Sequence, residues 1–489
     1  MPNKFISRCK EHSDYLILFV FLGICIFNGL GSYALDNINE GLYAEIPREM
    51  LESGNFIIPH LNYVPYLEKP PMLYWLVAVA YKLFGISAWS ARLVPAVAVT
   101  LICLVMLQFA RNVDRRATGF LTSIMLATCV SFILMARVLL FDMVFALWLT
   151  LSLVQFYYWY QSQQKCYLRL MYLFVGFAVL TKGLMAILLV GGIGCCFLLL
   201  SHTPWRRLLA CFDGYGILIL LGVTVPWHIA AVLHQPEFAY QYFINEHVLR
   251  FLDQRIPNDY HKGPIYFYLQ KIPLYLLPWS VFLPLLLRRD KTIPSEINRF
   301  LWVWFLVPLV FFSLSKAKGD YYMIMAIPPL MMLLAMQLQR WLVADRIRNM
   351  IMILSTLLLA IMVFVSALIW FPGLLRLDAT LSLALQMVLV MLALYGVCVV
   401  MSINRIKHPI WAVTLMAGLL IPLLHFYHAD KQAVEPKHSA IALTRFIEAQ
   451  HTDWPVFLYQ DFEDISTIPL YLQRRVSIID TKSADLYFG

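Results

Sequence analysis

The sequence predicts an all-α polytopic membrane protein of about thirteen transmembrane helices, and three observations carry that prediction. Of its 489 residues, 61% are hydrophobic and only 14% are charged, where a soluble domain carries about 25%. The apolar runs approach the ~17–25 residues that cross a bilayer as a helix, a form that satisfies its own backbone hydrogen bonds in lipid. The connectors between runs alternate, and every second one is basic.

Lys4, Arg8 and Lys10 precede the first run, 15–35, which puts the N-terminus inside under the bias of Lys and Arg toward cytoplasmic loops. The run is long for a signal peptide, and Tyr33-Ala34-Leu35 lacks a small-residue cleavage site. A polar outer loop, 36–87, follows. Within it, 43–51 reads as a short helix stopped by Gly54. Pro70-Pro71 forces an extended approach to 72–84, an amphipathic helix too short to span, whose Tyr74, Trp75 and Tyr81 suit the membrane interface.

Further spans are expected at 92–110, 117–135, 138–158, 168–180, 184–200, 215–233, 272–287, 300–314, 321–338, 351–371, 381–401 and 410–427. The inner connectors then hold Arg111, Arg115 and Arg116; Lys165 and Arg169; Arg206 and Arg207; Arg288, Arg289 and Lys291; Arg340, Arg346 and Arg348; and Arg405 with Lys407. A second long outer loop covers 234–271. An odd number of spans leaves the tail outside, so the chain divides into a transmembrane domain, 1–428, and an appendage, 429–489. The appendage reads as small and α/β, with a helix end at 444–450 and strands at 456–459, 468–472 and 476–479.

The net charge of +9 does not indicate nucleic-acid binding, because the basic residues lie between apolar spans rather than on a soluble face. The nine cysteines fall in spans or inner connectors, so no structural disulfide is expected in the loops or tail.

Polar side chains collect on the outer face. They include Asp36, Glu40, Glu45, Glu68 and Lys69 of the first loop, Arg137 and Asp142, and Thr181-Lys182-Gly183. The second loop adds Glu246-His247 with Arg250, Arg255, His261 and Lys262, and Ser315 to Tyr322 adds Lys318 and Tyr322. Charges beside spans are costly and usually pair or line a polar cavity. Singly, most have a structural reading: Arg137 with Asp142 as an ion pair, Lys182 as a snorkelling anchor, Asp36 as a cap on the first span's exit, His261 and Lys262 as structural, and Glu45, Arg48 and Glu49 as a solvated helix face. Their convergence on one face points to a site.

The run Asn39-Glu40-Gly41-Leu42-Tyr43-Ala44-Glu45-Ile46-Pro47-Arg48-Glu49-Met50, followed by Tyr66-Leu67-Glu68-Lys69-Pro70-Pro71-Met72-Leu73-Tyr74-Trp75, resembles the first periplasmic loop of the aminoarabinose transferase and protein O-mannosyltransferase superfamily. These are membrane glycosyltransferases of the C-type (GT-C) fold. The resemblance implies a GT-C-like enzyme of the bacterial inner membrane with its site facing the periplasm. Such an enzyme takes a sugar from a polyprenyl (undecaprenyl) phosphate and gives it to lipid A, another envelope glycan or a protein, so its partners are that donor, the acceptor and membrane lipids.

By the same resemblance, Glu68 and His247 would ligate a divalent metal (Zn, Mg or Mn). Lys69, Arg250 and Tyr322 would hold the lipid phosphate, with Tyr43, Tyr66 and Lys318 also binding substrate, and Asp142 and Lys182 would shape the catalytic cavity. A phosphate leaving group departs without a proton, so one carboxylate base plus cations suffices. The sequence departs from the family at Asn39, where an Asp is usual, and at Leu42, where the aminoarabinose enzymes have Arg. Glu40 is then the first candidate for the base and Asp36 the second. Two other readings stay open: a transporter or flippase of the same lipid, and an inactive lipid-binding homologue.

Overall fold

The computed structural model describes residues 15–16, 18–201, 204–257, 261–287, 292–343, 431–432, 435, 438–450, 455–459, 462–480, 483 and 486. The spans expected at 351–371, 381–401 and 410–427 lie outside the described residues, as do Lys4, Arg8, Lys10, Arg288, Arg289, Lys291, Arg346, Arg348, Arg405, Lys407, Cys9 and Cys398.

The described chain is mainly helical. After α1 (Leu18–Phe27), the first loop forms a π-helical turn (Asn37–Gly41), α2 (Leu42–Ser53), a two-stranded hairpin of β1 (His60–Leu61) and β2 (Val64–Pro65), and α3 (Met72–Phe84). There follow α4 (Ala88–Val113), α5 (Arg116–Ala127), α6 (Val130–Met135), α7 (Phe141–Ser162), α8 (Lys165–Lys182), α9 (Met185–Leu199), α10 (Pro204–Ala210) and α11 (Gly214–His234). A π-helical segment (Ala239–Leu249) leads to α12 (Phe267–Tyr275), α13 (Ser295–Leu314) and α14 (Ile327–Val343). Among the described residues, α4, α7, α11 and α13 are long and apolar enough to cross a membrane. Helix α4 starts with a capping box in which Ser87 and Ser90 exchange hydrogen bonds.

Two expected spans are broken. The run 117–135 divides at Thr128-Cys129 into α5 and α6, and 272–287 divides into α12 and a 3-10 segment, Trp279–Leu287, in a stretch carrying Pro273, Pro278 and Pro284. Proline removes a backbone donor and clashes with the preceding turn. The two breaks complete each other: Val130 N–H donates to the Leu277 carbonyl (2.9 Å), and Trp279 Nε1 to Thr128 Oγ1 (3.0 Å).

Helix α3 has the expected bounds but a different buried face. Tyr74 and Tyr81 are buried, Tyr81 donating to the Ala44 carbonyl (3.2 Å), while Val79, Leu83 and Phe84 are exposed. The tyrosines therefore serve the protein interior, and the outward stripe is apolar.

The face of α2 expected to be solvated is also buried. Arg48 bridges Glu45 and Glu52, both at 2.7 Å, and Glu49 accepts the Tyr63 N–H (2.9 Å). The β1–β2 hairpin and the C-terminal segment cover it.

That C-terminal segment contains α15 (Ile441–Gln450), a parallel pair of β3 (Phe457–Tyr459) and β4 (Ser477–Ile479), and α16 (Thr467–Leu472). The strand expected at 468–472 is therefore helical; Pro469 sits in its first turn, where no helical N–H is required. The segment docks on the first loop. Asn62 pairs its amide with Val476 N–H and C=O (3.0 and 2.9 Å), Leu35 N–H donates to the Tyr471 hydroxyl (2.9 Å), and Ser466 and Thr467 donate to Asn37. Gly41 allows that approach, since a Cβ there would lie 2.5 Å from Ser466 Oγ.

Burial, reinforced by the Glu45 carboxylate, pushes the Glu49 carboxyl up to about 8. A carboxyl that holds its proton more tightly when folded stabilises the fold fully below its unfolded pKa of ~4.3, and that contribution is lost as pH rises to the folded value. The thermal unfolding midpoint of the purified protein should accordingly fall between pH 5 and 8, and Glu49→Gln should flatten that dependence. A wild-type midpoint that rises over this window would contradict the assignment.

Candidate functional site

At the end of the bundle that carries the first loop, the polar segments enclose a cavity of about 1380 Å³. Its walls come from the first loop (Asn39, Tyr43, Glu68, Lys69), the start of α7 (Asp142), the end of α8 (Lys182), the second loop (Glu246, His247, Arg250, Arg255), the 315–322 segment (Lys318, Tyr322) and the C-terminal segment (Glu463).

Glu246 is the hub. It meets Lys69 Nζ at 3.2 Å and Arg250 Nη1 at 2.7 Å, and it accepts a further bond from Arg255 Nε. Arg255 Nη2 also reaches Glu68 (2.6 Å), which Lys69 and the Tyr66 hydroxyl approach at 3.3 Å each. Although burial acts in the opposite direction, Lys69, Arg250 and Arg255 hold the Glu246 carboxyl well below the usual carboxylate range. The Glu246 and Glu68 charges likewise hold Lys69 above its ordinary value, against the downward push of burial. Among the described residues, this corner of the cavity gathers three cations, Lys69, Arg250 and Arg255, around two carboxylates.

Beside this network, Arg250 Nη2 bonds the Tyr322 hydroxyl (3.1 Å), and Lys182 pairs with Asp142 (2.5 Å) with its ammonium 5.3 Å from the Tyr322 ring centre. Tyr43 packs edge-on against Phe141 at 5.0 Å, which sets that wall. Gly183 ends α8 at φ +77°, and a Cβ there would lie 2.2 Å from His247 Nε2, so only glycine admits the histidine against this turn.

The structure moves several expected site residues elsewhere. Glu40 is buried and bidentate to Arg92 (2.8 and 2.6 Å), accepts N–H groups from Leu139 (2.9 Å) and Asp36 (3.1 Å), and does not line the cavity. A carboxylate so held is a poor base, and its role is to anchor the Asn37–Gly41 turn. Asp36 also lies off the cavity, 3.7 Å from Lys431. Tyr66 stands behind Glu68 rather than on the wall. Lys318 is on the wall, but its ammonium donates to the carbonyls of Phe312, Ser313 and Ser315 at 2.9, 2.8 and 2.5 Å, capping the C-terminus of α13. Arg137 bonds the Cys25 and Ile133 carbonyls (2.6 and 3.1 Å), so Asp142 pairs with Lys182 and not with Arg137.

Lys69, Arg250, Tyr322, Tyr43, Asp142 and Lys182 do come together, as do Glu68 and His247. Arg255 and the hub role of Glu246 were visible only as members of the outer cluster of charges. Arg92 had a fainter signal, an arginine near the start of a long, mainly apolar helix.

A divalent metal on Glu68 and His247 does not fit these donors. The Glu68 oxygens are taken by Arg255, Lys69 and Tyr66; His247 donates from Nδ1 to the Tyr242 carbonyl (2.6 Å), and its Nε2 accepts the Leu184 N–H (3.1 Å). Three cations around the carboxylates also repel a fourth. The arrangement suits an anion with several acceptor oxygens, such as a phosphate.

Residues 68–229 match the family described as dolichyl-phosphate-mannose-protein mannosyltransferase. The chain is 30% identical over 341 residues to the undecaprenyl phosphate-alpha-4-amino-4-deoxy-L-arabinose arabinosyl transferase of Erwinia tasmaniensis, covering 66% of this chain and 59% of the relative. It is 32% identical over 311 residues to the enzyme of the same description from Enterobacter sp., covering 62% and 55%. The match thus spans less than two thirds of these relatives. The crystal structure of ArnT from Cupriavidus metallidurans bound to undecaprenyl phosphate superimposes with a TM-score of 0.82 at 23% identity, covering 97% of this chain and 87% of that one. The oligosaccharyltransferase AglB from Archaeoglobus fulgidus gives 0.52 at 12% identity, covering 96% and 64%.

Removing one partner of a buried ion pair typically costs ~3–5 kcal/mol. Arg92→Leu should therefore destabilise the protein by about that amount in denaturant titrations, whereas the double variant Arg92→Leu/Glu40→Leu should recover part of the loss. An Arg92→Leu protein as stable as wild type would remove the anchoring role.

Proposed function

We propose that the chain is a membrane glycosyltransferase of the GT-C class, a reading supported by its similarity to the mannosyltransferase family, to the arabinosyl transferases and to the ArnT fold, and that it moves a sugar from a polyprenyl phosphate to an acceptor entering the cavity. The observation that carries this reading is the convergence of Lys69, Arg250 and Arg255, with the Tyr322 hydroxyl bonded to Arg250, on one wall of the cavity.

In the proposed reaction the bond between the anomeric carbon and the phosphate oxygen breaks, and its electron pair stays on the phosphate. Lys69 and Arg250, with the Tyr322 hydroxyl alongside, stabilise that charge in a water-poor cavity where fixed cations act strongly. Where the acceptor is a hydroxyl, Asp142 takes its proton: it is held by Lys182, whereas Glu68 and Glu246 are each held by two or more cations. An acceptor already ionised as a phosphate needs no base.

An apolar groove of about 460 Å³ between α8, α9 and α11 shares Leu184 and Phe243 with the cavity and suits the prenyl chain. The cavity faces the periplasm of a bacterial inner membrane, a reading supported by Arg111, Lys165 and Arg207 at the opposite helix ends. A lipid, a glycan or a protein can serve as acceptor. One observation favours a second reading, an inactive lipid-binding relative: Asn39 presents an amide to the cavity, and the adjoining Glu40 is locked to Arg92.

The test offers purified protein radiolabelled polyprenyl-phosphate sugars with envelope extract. Wild type should transfer label, Lys69→Ala and Arg250→Ala should each lose about 10²-fold or more, and EDTA should leave the rate unchanged. Undiminished transfer by Lys69→Ala would sink the proposal, and no transfer by wild type despite donor binding would favour the inactive relative.

A further inference from the structure

Helix α7 starts at the cavity with Asp142 and carries Tyr160 eighteen residues later, ~27 Å away at 1.5 Å per residue. At that far end α7, α9, α10 and α13 assemble two arginines with no part in the cavity. The Arg207 guanidinium lies 4.0 Å from the Tyr160 ring centre, the Tyr160 and Phe197 rings are 4.7 Å apart, and the Arg299 guanidinium lies 5.5 Å from the Phe197 ring centre. Glu296, one turn before Arg299, accepts the Tyr160 hydroxyl (3.0 Å). Among the described residues, Arg207 Nη1 and Arg299 Nε are buried without a hydrogen-bond partner, and no ion pair joins either guanidinium to a carboxylate.

A second feature fixes the depth of this cluster. Around α10, Trp205, Leu209 and Phe212 are 69%, 71% and 69% exposed, beside the exposed Arg206. A short helix showing an indole and aliphatic side chains outward next to arginines has the chemistry of the membrane–water boundary.

We infer that Arg207 and Arg299 form a binding site for the phosphate of an anionic phospholipid headgroup, at the membrane surface opposite the cavity. The guanidinium fork matches phosphate oxygens in paired hydrogen bonds, and stacking on Tyr160 and Phe197 holds both forks in place. The apolar collar of Trp205, Leu209 and Phe212 would meet the acyl chains, which a free phosphate lacks. Two guanidinium groups against the single Glu296 carboxylate disfavour a choline headgroup, whose own positive charge would face them. The site is independent of the transfer reaction.

Native mass spectrometry of the full-length protein released from phosphatidylglycerol or phosphatidylcholine nanodiscs tests it. Wild type should retain phosphatidylglycerol preferentially. The Arg207→Gln/Arg299→Gln double variant should bind it about 30-fold more weakly, from roughly fivefold per arginine at a charged membrane surface, with phosphatidylcholine retention unchanged. Equal phosphatidylglycerol retention in both proteins, or equal retention of the two lipids by wild type, would overturn the site. Displacement of the lipid by inorganic phosphate alone would reassign it to a soluble anion. If the double variant unfolds at lower temperature, Arg207→Lys/Arg299→Lys keeps the charge while losing the paired geometry; several-fold weaker retention supports the site, and wild-type retention rejects it.

Discussion

Two carboxylates and three cations share one buried corner at the end of the helix bundle, and the site depends on how they neutralise one another. Glu68 and Glu246 lie where an unpaired charge would cost several kcal/mol. They are tolerated because Lys69, Arg250 and Arg255 reach them from both long loops. The network therefore joins segments that are almost 180 residues apart, such as Lys69 and Glu246. In the proposed reaction it is also the wall that an anionic phosphate would meet on entering the cavity.

The same constraint divides the remaining polar groups. A charge beside a hydrocarbon span has to find a partner, and Glu40 with Arg92, Lys318 with the end of α13, and Arg137 with the Cys25 carbonyl have each found one within the protein. These groups hold walls and turns. In the proposed reaction the chemistry falls to groups whose partners a phosphate can replace or share, which describes Lys69 and Arg250 and, through its hydrogen bond to Arg250, Tyr322.

The C-terminal segment belongs to this arrangement more closely than its distance in sequence suggests. Ser466 and Thr467 bond Asn37 while Arg92 bonds Glu40, so the Asn37–Gly41 turn is gripped on both sides and presents Ile38 and Asn39 to the cavity. Glu463, on the same segment, lines the rim. What enters the cavity meets side chains from both ends of the chain.

Composition, apolar run length and the alternation of basic connectors were sufficient to read a helical membrane protein, because the energetics of lipid act on every residue and leave a mark in the linear sequence. The bounds of α3 were legible from the local backbone rules that Pro70-Pro71 imposes, and Glu68-Lys69 from the resemblance of the first loop to a known family. Pairing was not legible. Whether Asp142 meets Arg137 or Lys182, whether Glu40 faces a cavity or Arg92, and whether Glu45, Arg48 and Glu49 see water or the β1–β2 hairpin are decided by which helices become neighbours. A charged side chain states its need for a partner in the sequence, but only packing in three dimensions determines which partner lies within 3 Å.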